Sequence, residues 1–277
     1  MAGQDPLPVS TAAPVATTAV SQPIKDRPLS EAEVERMRLA LSTFRDGSGQ
    51  FLKKIDGFMP DYLDFERVTA YVCGGTTAEN KGIFDVSVPV PHEKPFGISC
   101  KMAVTQKKNT KSSFMEMSNS KKKFDDEFAR LGIDWRTEPE DAGPAIVELV
   151  MGWHSEVGGE VDLASSRYLV LSHDPKWETF QLLCFPLNLA IADPSDDVEW
   201  CNEGDDKNGG PSTVAGYIMD GDRKHRLWQL YQNSGGQLKY YPLLEWAEWT
   251  SEPFKLESPP VVDIREKVEQ YFPGMWP

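Results

Sequence analysis

The sequence is poor in the residues that build metal cages and in the signatures of the commoner enzymes. Histidine and cysteine each occur only four times in 277 residues. Cys73, Cys100, Cys184 and Cys201 are widely spaced and form no Cys-x-x-Cys pair, which argues against a structural zinc site. His92, His154 and His173 have no partners at ligand spacing and read as structural or surface residues. No phosphate-binding Gly-rich loop or dinucleotide fingerprint is present. Gly-x-Ser-x-Gly is missing too, and no Ser or Cys has a readable histidine partner, so a serine or cysteine hydrolase is a weak reading. No run of 18 apolar residues occurs, so no membrane partner is expected. Scattered cysteines in a chain this long suit a reducing cytoplasm.

Positive charge is scarce as well. Lys and Arg number 29 against 43 Asp and Glu, a net charge of −14. Taken alone, that balance argues against a nonspecific nucleic-acid binder. The distribution says otherwise. Between Lys94 and Lys123 stand eight lysines and a single acid, Glu116, whereas Asp193 to Asp206 carries seven acids and no base. The chain is polarised.

What is plentiful is core material. Hydrophobic residues make up 40%, with eight Trp and thirteen Phe, enough for one large domain. Residues 1–27 are rich in Ala, Pro, Thr, Ser and Val and lack the basic and apolar regions of a signal peptide; they read as a disordered tail. Residues 28–277 read as a single domain.

A Ser30–Glu33 capping pattern starts a first helix, which Gly47 and Gly49 break. "PDYLDFERVTAYVCGG" predicts a second helix, capped by Asp61 and ended by Gly74-Gly75. "GIFDVSVPV" and "FGISCKMAV" predict two short strands. A helix is expected from about Ser112 to Leu131, and another over "PAIVELVMGWHSEVGG". Two strands around an Asp174-Pro175 turn follow, then an acidic loop at 193–211, short strands with turns at Asp220-Gly221 and Ser234-Gly235-Gly236, and a short C-terminal helix. This order predicts an α/β or α+β fold with a mixed sheet.

One pair of residues stands out. Asp85 interrupts the first strand, and Lys101 closes the second. Adjacent strands lie about 4.8 Å apart, so a short connection can bring both side chains to one edge. Glu66, on the preceding helix, and Glu116, expected on the following one, can add carboxylates there. Two or three carboxylates beside a lysine suit Mg²⁺. They also suit phosphodiester hydrolysis, with the lysine acting on a water or on the charge of the transition state.

Between about Asp61 and Leu131 the sequence resembles the PD-(D/E)XK nuclease superfamily. The likeness rests on "LDFERVTAYVCGG" with Glu66, "KGIFDVSV" with Asp85, "GISCKM" with Lys101, and a Lys-rich segment holding Glu116. Ser99 stands where the family usually has an acid, and the pattern is similar to restriction endonucleases with a Ser-x-Lys motif, which take the missing acid from the next helix. The resemblance implies a restriction-endonuclease-like mixed β-sheet flanked by helices. It also implies a Mg²⁺-dependent, site-specific endonuclease on double-stranded DNA, commonly a homodimer. Residues 58–190 would form the catalytic core and 191–277 a DNA-reading and dimerisation extension. Asp85, Glu116 and Glu66 would bind metal, and Lys101 would act on the water or the phosphate. Lys107, Lys108, Lys111, Lys121 and Lys122 are candidates for DNA phosphate contact, and Arg223, Lys224, Arg226, Gln237 and Lys239 for contacts from loops that read bases.

Two other classes stay open. Ser99 is compatible with a catalytically inactive nuclease-like fold serving as a DNA- or protein-binding module. The many Trp and Asp are compatible with an unrelated acidic enzyme or carbohydrate-binding protein, which predicts exposed aromatics in a groove and no Asp–Lys–Glu cluster.

Overall fold

The structure, a computed structural model, describes residues 24–49, 51–52, 57–77, 83–105, 112–157, 159–187 and 198–275. It begins with helix α1 (Glu31–Thr43), a small hairpin of β1 (Phe51–Leu52) and β2 (Phe58–Met59), and helix α2 (Tyr62–Cys73). Next come β3 (Thr76–Thr77), β4 (Val86–Val88), β5 (Phe96–Val104), β6 (Met115–Asn119), and helices α3 (Lys121–Leu131) and α4 (Pro139–Val157). The chain continues through β7 (Arg167–His173), β8 (Phe180–Pro186), β9 (Glu199–Asp205), β10 (Pro211–Asp220), β11 (Arg223–Tyr231), β12 (Gln237–Tyr240), β13 (Trp249–Thr250) and helix α5 (Ile264–Tyr271).

Two larger sheets form, so the fold is mixed α/β. The first has six strands in the order β13-β8-β7-β5-β4-β3; β5 and β7 run parallel and every other pair is antiparallel. The second is antiparallel throughout, in the order β6-β12-β11-β10-β9. Among the described residues no helix is long and apolar enough to cross a membrane.

Strand periodicity assigns the two cores. Successive side chains on a strand point to opposite faces. On β7, Leu169 and Leu171 join Met37 and Leu41 of α1 and Phe65 and Val68 of α2. Tyr168 and Val170 join Ile146 and Val150 of α4 and Leu230 and Leu238 of the second sheet. The first sheet is thus covered by α1 and α2 on one face, and by α4 and the second sheet on the other. Strand β5 divides the same way. Ile98 and Cys100 face the helical core, while Ala103 belongs to the other. Ser99 and Lys101, in phase with Ala103, therefore lie on the α4 side.

Several expectations need correction. Residues 112–131 are not one helix: Met115–Asn119 is a strand paired with β12, and the helix starts at Lys121. The acidic segment is not all loop, because Glu199–Asp205 forms β9 against β10. Asp85 does not interrupt a strand but immediately precedes β4. Part of the segment expected as a tail, 24–27, is ordered. Ile24–Asp26 forms a 3-10 turn, and Lys25 is ion-paired to Glu93 and to Asp162; residues 1–23 lie outside the described residues. The division near residue 190 is crossed twice, since β6 joins the second sheet and β13 joins the first.

Candidate active site

Each predicted polar residue can be traced to the local structure that holds it. Asp61 and Asp64 form a reciprocal capping box that starts α2: Asp64 N–H donates to Asp61 at 2.9 Å and Asp61 N–H to Asp64 at 3.0 Å. Gly74, at φ 69°, ends it. Phe65, Val68 and Val72 face the core, which leaves Glu66 on the half-buried flank of the helix.

Asp85 is tied directly to β5. Its own N–H donates to the Ile98 carbonyl at 3.1 Å. Its carboxylate accepts the Cys100 N–H at 2.7 Å and the Ser99 hydroxyl at 3.3 Å. Phe84 lies across Gly97, and a Cβ there would stand 2.1 Å from its ring. The pairing of β4 and β5 therefore depends on glycine at 97. Among the described residues Lys101 makes no ion pair within 4.0 Å.

Glu116 reaches the same place from β6. Its carboxylate accepts the Gln237 side-chain N–H from β12, where Lys239 is its cross-strand partner.

These four residues line one cleft of about 540 Å³, together with Tyr62, Cys100, Met102, His173 and Trp177. Sequence reasoning missed the aromatic wall. His173 stacks on Trp177 with ring centroids 3.7 Å apart. Trp177 sits at φ 60°, a strained conformation for a bulky residue. The preceding turn holds it: Asp174 accepts N–H bonds from Lys176, Glu178 and Thr179. A non-glycine residue in the left-handed region carries no sequence signal, so nothing in the sequence singled out Trp177.

The cleft perturbs its acids. Burial, and then the neighbouring Asp85 charge, push the Glu66 carboxyl up to about 7, against the pull of Lys101. Mutually repelling carboxylates in a cleft favour a cation. Among the described residues no group of three or more Asp, Glu, His or Cys side chains is placed to hold a metal ion, so Glu66, Asp85 and Glu116 do not converge as the three-carboxylate site expected from the sequence. Mg²⁺ needs only one or two protein carboxylates, because it keeps several waters and takes phosphate oxygens. Asp85 with Glu66 or Glu116 suits that ion, and does not suit the closed ligand set of a structural zinc.

The DNA-contact candidates scatter. Lys107, Lys108 and Lys111 lie outside the described residues. Lys121 and Lys122 form i,i+4 ion pairs with Asp125 and Asp126. Lys224 pairs with Glu199 and Arg226 with Glu203, and both also lie against Tyr217. Arg223 is exposed at the β10–β11 hairpin. The Lys239 ammonium sits over the rings of Phe114 and Tyr231. Gln237 acts on Glu116.

Comparisons of the chain with known protein families, with characterised proteins and with solved structures find no match.

Proposed function

We propose that the chain is a Mg²⁺-dependent endonuclease that hydrolyses phosphodiester bonds in double-stranded DNA, site-specific in the manner of a type II restriction enzyme. The observation that carries this reading is the single cleft. Glu66 comes from a helix, Lys101 and Glu116 from two strands and Asp85 from the residue before a third, yet they line one cavity. Structural ion pairs would neutralise one another. Here three acids face a lysine that has no ion pair among the described residues.

The order of elements supports a restriction-endonuclease-like core. Helix α2 precedes the antiparallel run β3-β4-β5, and after α4 comes β7, parallel to β5. Parallel neighbours need a long crossover, and the segment through α4 supplies it.

Hydrolysis adds a water oxygen to phosphorus and breaks one P–O bond, leaving a phosphate monoester and a hydroxyl. Asp85, with Glu66 or Glu116, would hold the ion. When bound, Mg²⁺ supplies charge neutralisation at the phosphate and a more acidic water. Lys101 places an ammonium where negative charge grows in the transition state. Asp85 is kept in position by the Cys100 N–H, so its carboxylate does not have to reorganise on binding. Gln237 orients Glu116. A homodimer would present two such clefts to a palindromic site. The four free cysteines suit a reducing compartment such as the cytoplasm.

A second reading, an inactive nuclease-like DNA- or protein-binding module, is favoured by one observation: buried Ser99 occupies the β5 position beside Lys101 where a third strand carboxylate would complete a stronger ion site.

Incubation with mixed plasmid and phage DNA, with Mg²⁺ or with EDTA, separates the two. Discrete Mg²⁺-dependent fragments that vanish in Asp85→Ala and Lys101→Ala, with unchanged circular dichroism, are the expected outcome. Each substitution is expected to lower the rate by at least about 10³-fold. Intact DNA under all conditions would leave the binding-module reading, and normal cutting by either variant would reject the site.

A further inference from the structure

A second cleft opens beside the same Asp85–Lys101 pair, and its chemistry is reversed. It measures about 430 Å³ and is lined by Asp85, Ser99, Lys101, Ser118 and Lys123, with Trp153 in its wall. Asp85 is the single carboxylate among its described lining residues, against two ammonium groups.

The position of Lys123 has a local cause. In the run Lys121–Lys123, the first two lysines meet acids one turn on, Asp125 and Asp126. The equivalent partner for Lys123 would be Glu127, but Arg130 holds that carboxylate with bonds of 2.9 and 2.6 Å. Lys123 instead lies over Trp153, 4.4 Å from the ring. Among the described residues it has no carboxylate within 4.0 Å.

The remaining polar groups add no negative charge. His154 Nδ1 lies 2.7 Å from the Val150 carbonyl and therefore carries a proton, so Nε2 accepts from the Tyr168 hydroxyl at 3.1 Å. Burial, and the nearby Lys101, push the ring's pKa below its ordinary value, against the bond to Val150. Ser99 is decisive. A carboxylate there would balance the two lysines, whereas serine leaves the cleft with excess positive charge.

We propose that this second cleft is a phosphate-binding subsite, in which Lys123 and Lys101 hold one phosphate group of a nucleic-acid strand and Ser118 supplies a hydroxyl donor. The inference rests on the nuclease reading only for the source of the phosphate. The carboxylate-rich cleft and the lysine-rich cleft share Asp85 and Lys101, so a strand crossing that pair would place one phosphate at the acids and a neighbouring one at Lys123.

The test titrates the full chain with inorganic phosphate, a deoxynucleoside 5′-monophosphate, and the unphosphorylated deoxynucleoside. Intrinsic tryptophan fluorescence reports occupancy, because an anion that draws Lys123 away alters the surroundings of Trp153. Calorimetry gives the affinity independently. Phosphate and monophosphate are expected to bind saturably, and the deoxynucleoside is not. If the monophosphate binds more tightly than phosphate, the source is a strand; equal binding makes the site one for free phosphate and rejects the strand assignment. Lys123→Met should weaken binding about tenfold, Lys123→Arg should restore most of it, and the exposed Lys255→Met should change nothing. Trp153→Phe should remove the optical signal and leave the calorimetric affinity. No saturable binding, or equal affinity in Lys123→Met, overturns the proposal. Neither readout requires cutting. Phosphate binding through Lys123 in a chain that never cleaves DNA would retain the subsite and reject the nuclease. Cleavage without phosphate binding would do the reverse.

Discussion

Asp85 does two things with one carboxylate. It accepts the Cys100 N–H and the Ser99 hydroxyl, which ties the start of β4 to β5, and it lines both clefts. Among the described residues Glu116 is held by a single side chain instead. Gln237 reaches across from β12, and its loss would free the carboxylate to swing while the cleft keeps its shape. Gln237→Ala is therefore expected to lower the rate 10- to 100-fold, the range for groups that orient metal ligands. Gln237→Glu should be worse, because it sets a second charge against Glu116. Steady-state cutting across a Mg²⁺ titration checks both, and the Gln237→Ala defect should shrink at high Mg²⁺. Equal rates at all Mg²⁺ concentrations would remove Glu116 from the site.

At the scale of elements, α1 illustrates how far local chemistry goes. Its capping box was readable from Ser30 and Glu33, and the structure adds Arg27, whose guanidinium bonds Glu33 at 2.7 and 2.9 Å. Burial works against the Glu33 charge, but Arg27 and the N–H and hydroxyl of Ser30 hold its carboxyl down at about 2. A carboxyl lowered on folding stabilises the native state above its ordinary value near 4.5, and that contribution disappears as pH falls from there toward 2. Glu33→Gln should cost up to about 3 kcal/mol at pH 7 and nearly nothing at pH 2. Urea unfolding at the two pH values measures the difference.

The helices α2 and α4 and strands β4, β5, β7 and β8 were legible for the same reason: caps, terminal glycines and apolar runs are local. Glu116 was not. Met, Glu and Lys favour helices as isolated residues, and "MEMSN" becomes a strand because β12, about 120 positions later, offers it an edge. Nothing near Glu116 announces Gln237 or Lys239. Gly97 was equally silent, since the demand for glycine arises only once Phe84 packs over it. Gly97→Ala should destabilise by about 1–3 kcal/mol through overpacking. Because Phe84 adjoins Asp85, it should also slow cutting. Phe84→Leu in the same chain should recover part of both losses, and parallel urea and rate measurements would show it.

For the whole molecule, the two sheets are stitched rather than appended. Strand β6 leaves the first half to complete the second sheet, and β13 returns to extend the first. Helix α4 contributes Ala142, Ile146 and Val150 to the core that both sheets share. Unfolding should therefore be a single transition, with tryptophan fluorescence and far-ultraviolet circular dichroism superimposing along urea. Separate midpoints for the two probes would mean that the C-terminal part is an independent unit.

The clamp between Asp85 and Cys100 also bears on how the chain could be re-engineered. The two strands are joined by Pro89–Pro95, whose residues Pro91–Lys94 are exposed. The bonds that place Asp85 are made strand to strand, outside that connection. The spacing in sequence between the aspartate and the lysine is thus a free variable, while their spacing in space is not. A peptide grafted between His92 and Glu93 would lengthen the path from one charge to the other and leave the two in register. A longer loop here adds little closure entropy, so a reporter or a targeting segment attached at this point should leave the Asp85–Cys100 clamp intact, at the expense of local contacts such as the Lys25–Glu93 pair.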